Sequence, residues 1–208
     1  MKSKLLYFVA MNMFIVLFAG CTSAQDRTID KPINPDQKVL IVYLSRTGNT
    51  KAIAQMIGKH TGGKLIALEL EKPYPENYRQ TVDQVARENE SGFLPPLKTK
   101  IDSIASYDTI FIGFPTWGMQ LPPPMKSFLN SYKLKGKQVI PFNTNGGYGI
   151  GSSFDQVKEL CPGSKVMEGF TMKGGSERDG KLLMIAGSRA VEAENEVVKW
   201  LDRIGFAK

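Results

Sequence analysis

Apolar runs of strand length alternate along this chain with stretches whose apolar residues recur at helical spacing. Residues 38–44 hold an unbroken apolar run, Val39-Leu40-Ile41-Val42-Tyr43-Leu44, the pattern of a strand buried on both faces. Over residues 51–60, Ile53, Met56 and Ile57 share one helical face, and Gly62-Gly63 predicts the stop. Residues 64–70 alternate and end before Pro73, and residues 77–90 are amphipathic through Tyr78, Val82, Val85 and Ala86. Residues 108–114 predict a third strand closed by Pro115. Behind prolines 122–124, Met125, Phe128, Leu129 and Tyr132 make the next apolar helical face. Residues 137–144 read as a fourth strand, 153–161 as a short helix carrying Phe154, Val157 and Leu160, and 164–172 as a fifth strand. Ser188 is the expected cap of a last helix with Ala193, Val197, Leu201 and Ile204 on its face, ended by Gly205. Residues 173–187 fit the scheme poorly, and 182–186 could form a further strand segment or part of a hairpin.

This alternation predicts an α/β fold in which a doubly wound, five-stranded parallel sheet is covered by helices on both faces. In such a sheet ligands bind outside the carboxyl ends of the strands, at the switch point between the first and third. Three loops leave that edge: 45–50, 115–119 and 144–151.

The first of them, Ser45-Arg46-Thr47-Gly48-Asn49-Thr50, passes from a strand into a helix N-terminus. Free N–H groups of the first turn and the helix dipole favour an anion there. The hydroxyls of Ser45, Thr47 and Thr50 add donors, and Gly48 lets the backbone come close. Such a loop holds a phosphate dianion without a lysine; the plainer alternative is a strand-to-helix turn capped by Thr50. No G-x-x-x-x-G-K-[ST] string occurs, and the glycines of 146–151 do not match the dinucleotide spacing. The second loop, Pro115-Thr116-Trp117-Gly118-Met119, and the third, Asn145-Gly146-Gly147-Tyr148-Gly149, each set one large aromatic beside glycines. A flat ring could stack on Trp117, Tyr148 or both, while exposed peptide groups bond its rim. Phosphate cradle, aromatic slot and peptide groups together describe a site for flavin mononucleotide (FMN).

From about Lys38 onward the chain resembles the flavodoxins. Residues 45–50 are similar to the flavodoxin phosphate loop, Thr116-Trp117-Gly118 to the loop that covers one flavin face and meets its N5, and 145–149 to the segment holding the pyrimidine end. The stretches 74–78, 113–117 and 146–152 look more like a bacterial flavodoxin-like branch than like carrier flavodoxins. The resemblance implies strand order 2-1-3-4-5, FMN as cofactor, and site residues Ser45, Arg46, Thr47, Gly48, Asn49, Thr50, Pro115, Thr116, Trp117, Gly118, Asn145, Gly146, Gly147, Tyr148 and Gly149. Carrier flavodoxins are strongly acidic; here neither 115–119 nor 145–149 holds an Asp or Glu.

The N-terminus changes the picture of location. Lys2 and Lys4 precede an apolar run from Leu5 to Ala19, broken only by Asn12, which ends in Leu17-Phe18-Ala19-Gly20-Cys21. This resembles a bacterial lipoprotein signal over residues 1–20, with Cys21 as the acylated residue. The alternatives are a plain secretory signal cleaved near Ala24 and an uncleaved anchor helix. Residues 21–37 are polar, with two prolines and no period, and read as a tether reaching up to about 50 Å. Residues 38–208 then form one domain, lipid-anchored on the non-cytoplasmic side of a bacterial membrane.

Charge narrows the partners. The chain has 27 Lys plus Arg against 20 Asp plus Glu; without Lys2 and Lys4 the balance is +5. That favours an anionic lipid surface or an acidic partner, and scattered lysines give no nucleic-acid signature. One histidine, His60, and one internal cysteine, Cys161, give no zinc set and no Ser–His–Asp triad. His60 is expected to meet the terminal carbonyls of its helix, and Cys161 to be buried. The leading expectation is FMN-mediated electron transfer with unknown donor and acceptor. The alternatives are an NAD(P)H-dependent reductase of quinones or similar acceptors, and a ligand-binding lipoprotein without redox function. No general acid or base is assignable, and the oligomeric state stays open.

Overall fold

The computed structural model describes residues 38–206, so the expected signal, the tether and Cys21 lie outside the described residues. Strands β1 (Val39–Tyr43), β2 (Lys64–Ala67), β3 (Thr109–Pro115), β4 (Gln138–Asn145), β5 (Lys165–Val166) and β6 (Phe170–Lys173) alternate with helices α1 (Asn49–Thr61), α2 (Tyr78–Ser91), α3 (Pro123–Ser131), α4 (Ser153–Leu160) and α5 (Ser188–Arg203). All pairings are parallel, in the order β2-β1-β3-β4-β5, and β6 also pairs with β4.

The expected fifth strand is thus broken into β5 and β6, both laid along β4. The break spans 167–169. A Cβ on Gly169 would sit 2.4 Å from the Phe154 ring of α4, so the chain approaches that helix closely where the ladder lapses.

Period-2 alternation sends the buried strands' side chains to two cores. Val39, Ile41 and Tyr43 join Phe111, Phe142, α1 and α5 on one face; Leu40, Val42 and Leu44 join Ile112, Phe114, α3 and Val157 of α4 on the other. On the first face Trp200 is 1% exposed, packs against Phe111 and Phe170 with centroids 5.9 and 5.2 Å away, and donates its Nε1–H to the Glu168 carbonyl. Ala193, Val197, Leu201 and Ile204 are buried, as their spacing predicts.

Caps differ in part from expectation. Gly62 ends α1 at φ 71°, its N–H bonded to the Gly58 carbonyl at 2.9 Å, and Asn77 caps α2 by accepting the Gln80 N–H at 3.1 Å. Ser188 does not cap α5; Gly187 holds the cap position at φ 55° with no side-chain bond. His60 does not turn to its own helix end but meets the Glu194 carboxylate of α5 at 2.9 Å, beside Lys59. Hydrogen bonds from Lys59 first and His60 second hold the Glu194 pKa below its usual range. Cys161 is buried, and burial pushes its thiol up to about 11. Among the described residues no helix is long and apolar enough to cross a membrane.

Gly113 lies in the middle of the fully buried β3 strand, where a Cβ would fall 2.1 Å from the Phe142 ring. Gly113→Ala is expected to overpack that core and lower stability by about 1–3 kcal/mol. Urea unfolding checks it: the midpoint falls with little change in slope.

Candidate functional site

The register of the three central strands brings their ends to one side of the sheet in a short stagger: Tyr43 pairs with Gly113, two residues before β3 ends, and Pro115 with Thr144, one residue before β4 ends. The loops that follow therefore open on one side, around a cavity of about 600 Å³. All three expected loops line it, through Arg46, Thr47, Asn49 and Thr50, then 115–118, then Asn145, Gly146 and Tyr148. Two further walls were not anticipated: the α2 face of Tyr78, Val82, Val85 and Ala86, and residues 175–178.

At the first loop, Gly48 stands before α1 at φ 90°, the left-handed conformation that favours glycine. Thr50 is not the cap; its hydroxyl is buried and pairs with the Thr144 hydroxyl at 2.8 Å, linking α1 to the end of β4. The Ser45 hydroxyl accepts the Lys51 N–H at 3.2 Å, and the Gly48 carbonyl accepts that of Ala52 at 2.9 Å. The N–H groups of Asn49 and Thr50 remain without an intrahelical acceptor, as the opening of a helix requires. These two N–H groups and the protons of the Ser45 and Thr47 hydroxyls are among the donors the loop can offer an anion.

Asn49 and Arg46 have other work in their side chains. The Asn49 carboxamide, 3% exposed, donates to Thr47 Oγ1 and to the Leu182 carbonyl, and its oxygen accepts the N–H groups of Met184 and Ile185 at 2.9 and 3.1 Å. Residues 182–186 are consequently neither strand nor hairpin arm. They form a strap pinned to the first loop, with Leu183 lying against Gly48. Arg46 bonds both Glu177 oxygens at 2.9 Å and the carbonyls of Pro75 and Glu76 at 3.0 and 2.7 Å. It ties three loops together and neutralises the carboxylate nearest the first loop.

The aromatic slot is also braced from behind. Trp117 meets Tyr74 edge-on at 5.3 Å, and the Tyr74 hydroxyl donates to Glu88, which also accepts from Gln84 at 2.7 Å. Burial first, then the Glu88 carboxylate, raise the Tyr74 pKa, so the phenol keeps its proton. After Trp117 the chain turns through Gly118 at φ 58° and Met119 at φ 60°. The Met119 carbonyl accepts the Ser152 N–H at 3.0 Å, and a Cβ on Gly151 would stand 1.9 Å from that oxygen. Gly151 is therefore needed for contact between the second and third loops. Lys126 of α3 lies behind this turn and donates to Asn89 Oδ1 at 2.9 Å and Gln120 Oε1 at 2.7 Å. Burial lowers its pKa. Because an ammonium only donates, both carboxamides must turn their oxygens to it, leaving their NH₂ ends for the cavity they line.

In the third loop the peptide groups are less free than its glycines suggest. Asn145 Oδ1 accepts the N–H groups of Gly147 and Gly149 at 2.9 and 3.3 Å, while the Gly149 carbonyl accepts the Thr116 hydroxyl at 2.9 Å. The Asn145 side chain shapes the loop. Tyr148 is 68% exposed at the mouth, its hydroxyl accepting from Arg178 at 2.9 Å. Loops 115–119 and 145–149 hold no carboxylate, but tertiary structure adds Glu90 and Glu177 to the cavity wall.

The sequence profile of the flavodoxin family matches residues 38–186. A protein of known structure described as a flavoprotein, from Bacteroides eggerthii, is similar at 29% identity and TM-score 0.66, over 81% of this chain and 98% of its own. Another so described, from Bacteroides uniformis, is similar at 27% identity and TM-score 0.65, over 80% of this chain and 98% of its own. A Lactobacillus acidophilus flavoprotein solved in complex with FMN is similar at 26% identity and TM-score 0.56, over 70% of this chain and 98% of its own. Among curated proteins none matches significantly.

Asn49→Ala removes the partners of three strap backbone groups. Each one left buried without a replacement costs about 1–3 kcal/mol. Hydrogen exchange at Met184 and Ile185 is expected to speed up while that of the β3 core stays unchanged.

Proposed function

The chain belongs to the flavodoxin family, and on that premise we propose that it binds FMN and passes electrons at the surface of a bacterial membrane. The observation that carries the reading is one cavity lined both by a helix N-terminus, with its donors, and by the rings of Trp117 and Tyr148. The donor set fits the cofactor: hydroxyls and N–H groups without a lysine suit a phosphate dianion, and the aromatic mouth suits a planar ring.

In this reading Ser45, Thr47 and the N–H groups of Asn49 and Thr50 hold the phosphate. Gly48 admits it, and the Thr50–Thr144 pair fixes the helix start against β4. Trp117, held edge-on by Tyr74, and Tyr148 flank the ring and exclude water from it. FMN, when bound, supplies the redox chemistry. Lys126 sets a positive charge behind Asn89 and Gln120, and the Arg46 ion pair cancels Glu177, so of the wall's two carboxylates Glu90 is the one that opposes an anionic ligand. The NAD(P)H-dependent reductase is the second reading. The α2 face favours it, because Tyr78 and Val82, 40% and 44% exposed, leave an apolar wall for a second planar molecule. Bleaching of the FMN-loaded protein by NADH or NADPH separates the two.

Titration of the apoprotein tests the phosphate assignment. Thr47→Ala is expected to weaken FMN binding about tenfold, the equivalent of one charge-assisted bond, and to leave riboflavin binding unchanged. Parallel losses for both ligands would remove the phosphate from this loop.

The membrane reading rests on the apolar run 5–19 before Cys21. Cys21→Ala is expected to abolish incorporation of labelled palmitate into the protein in growing cells. Undiminished labelling would defeat the lipoprotein assignment.

A further inference from the structure

We propose that residues 182–184 of the strap are a docking tip for an anionic lipid bilayer, holding the cavity against the membrane surface. Leu182, Leu183 and Met184 are consecutive and 53%, 52% and 42% exposed, a continuous apolar cluster on the surface. The cluster is rigidly presented. Asn49 binds the Leu182 carbonyl and the Met184 and Ile185 N–H groups from the protein side. These backbone groups need no water, so the tip can enter a bilayer interface without stranding them.

Charge chooses the partner. Residues 173–189 carry Lys173, Arg178, Lys181 and Arg189 against Glu177 and Asp179. Glu177 is neutralised by Arg46, Asp179 pairs with Arg178, and Arg189 pairs with Glu192 of α5, which leaves Lys173 and Lys181 as the charges the segment offers a partner. Lys173 and Lys181 are exposed, and a Cβ on Gly147 would lie 3.4 Å from Lys173 Nζ. Exposed apolar side chains with Lys181 next to them in the chain and Lys173 on the same loop cluster match an anionic lipid headgroup layer. The tip adjoins the cavity: Gly175, which lines it, abuts the Leu182 carbonyl so closely that a Cβ there would stand 2.0 Å from the oxygen. Tyr148 and Arg178 lie at the same mouth. The choice of a bilayer rests on the membrane-surface reading above, because a tether of residues 21–37 would keep the domain within about 50 Å of the surface.

The test uses the full-length acylated protein carrying Leu182→Cys with an environment-sensitive nitrobenzoxadiazole label. Cys161 is buried with its thiol pushed up to about 11, so labelling goes to position 182. Equimolar phosphatidylcholine–phosphatidylglycerol vesicles are expected to raise label emission about threefold and to expose it to quenching by doxyl lipids; phosphatidylcholine alone is not. Lys173→Gln with Lys181→Gln is expected to weaken this insertion about fivefold for each lysine removed, without lowering the unfolding temperature. A label that stays in water on both vesicles overturns the proposal. So does shielding that grows with protein concentration when no vesicle is present, since a second copy then covers the patch. Flotation with phosphatidylcholine vesicles in high salt reads the anchor alone. Loss of flotation with insertion retained would defeat the anchor and leave the docking tip standing.

Discussion

Asn143, wholly buried at the end of β4, sets how the site is built. Its amide donates to the Phe114 carbonyl and the Thr116 hydroxyl, both at 3.0 Å, and its oxygen accepts from Thr171 of β6 at 3.2 Å. A carboxamide removed from water must find such partners or cost the fold its desolvation. Satisfying Asn143 therefore fixes the second loop, the outer strand and the third loop in one arrangement. Thr116 extends the chain to Gly149, Thr144 carries it to Thr50, and Asn145 closes the glycine turn. The sheet edge is organised by side-chain polar groups where the backbone ladder ends.

Asn49 repeats that device on the other side of the cavity, and Arg46 adds a charged version of it. Both residues sit in a loop whose composition suggests ligand contact, yet their side chains are spent on protein. The consequence for ligand binding is pre-organisation: donors of the first loop are held in place before any anion arrives, so less ordering is paid on binding. The same ties make the strap part of the site's wall.

The electrostatic picture changes once the fold is closed. Loops 115–119 and 145–149 carry no carboxylate, and the chain as a whole is basic, with 27 Lys plus Arg against 20 Asp plus Glu. Folding brings Glu177 and Glu90 to the cavity, but it brings Arg46 onto Glu177 and a half-buried Lys126 behind the Trp117 turn. Lys126 is answered by two neutral carboxamides, so its charge is only dipole-compensated. A ligand that gains negative charge meets less opposition here than in a cavity rimmed by unpaired acids.

Local pattern was enough for the strands, their parallel arrangement and the three loops at one edge, because apolar period, glycine stops and strand-to-helix turns are properties of neighbouring residues. Ser45 to Thr50 and Trp117 were legible for that reason. Tertiary structure alone decided the division of the outer strand at Gly169, the turning of His60 to Glu194, and the use of Asn49 and Arg46 as ties. It also decided that residues 182–186 cross to the first loop, and that Lys126 stands behind Gln120. Each of these joins side chains far apart along the chain; Asn49 and Ile185 are separated by 136 positions. Which polar partner a side chain finds depends on the closed fold, and periodicity carries no record of it.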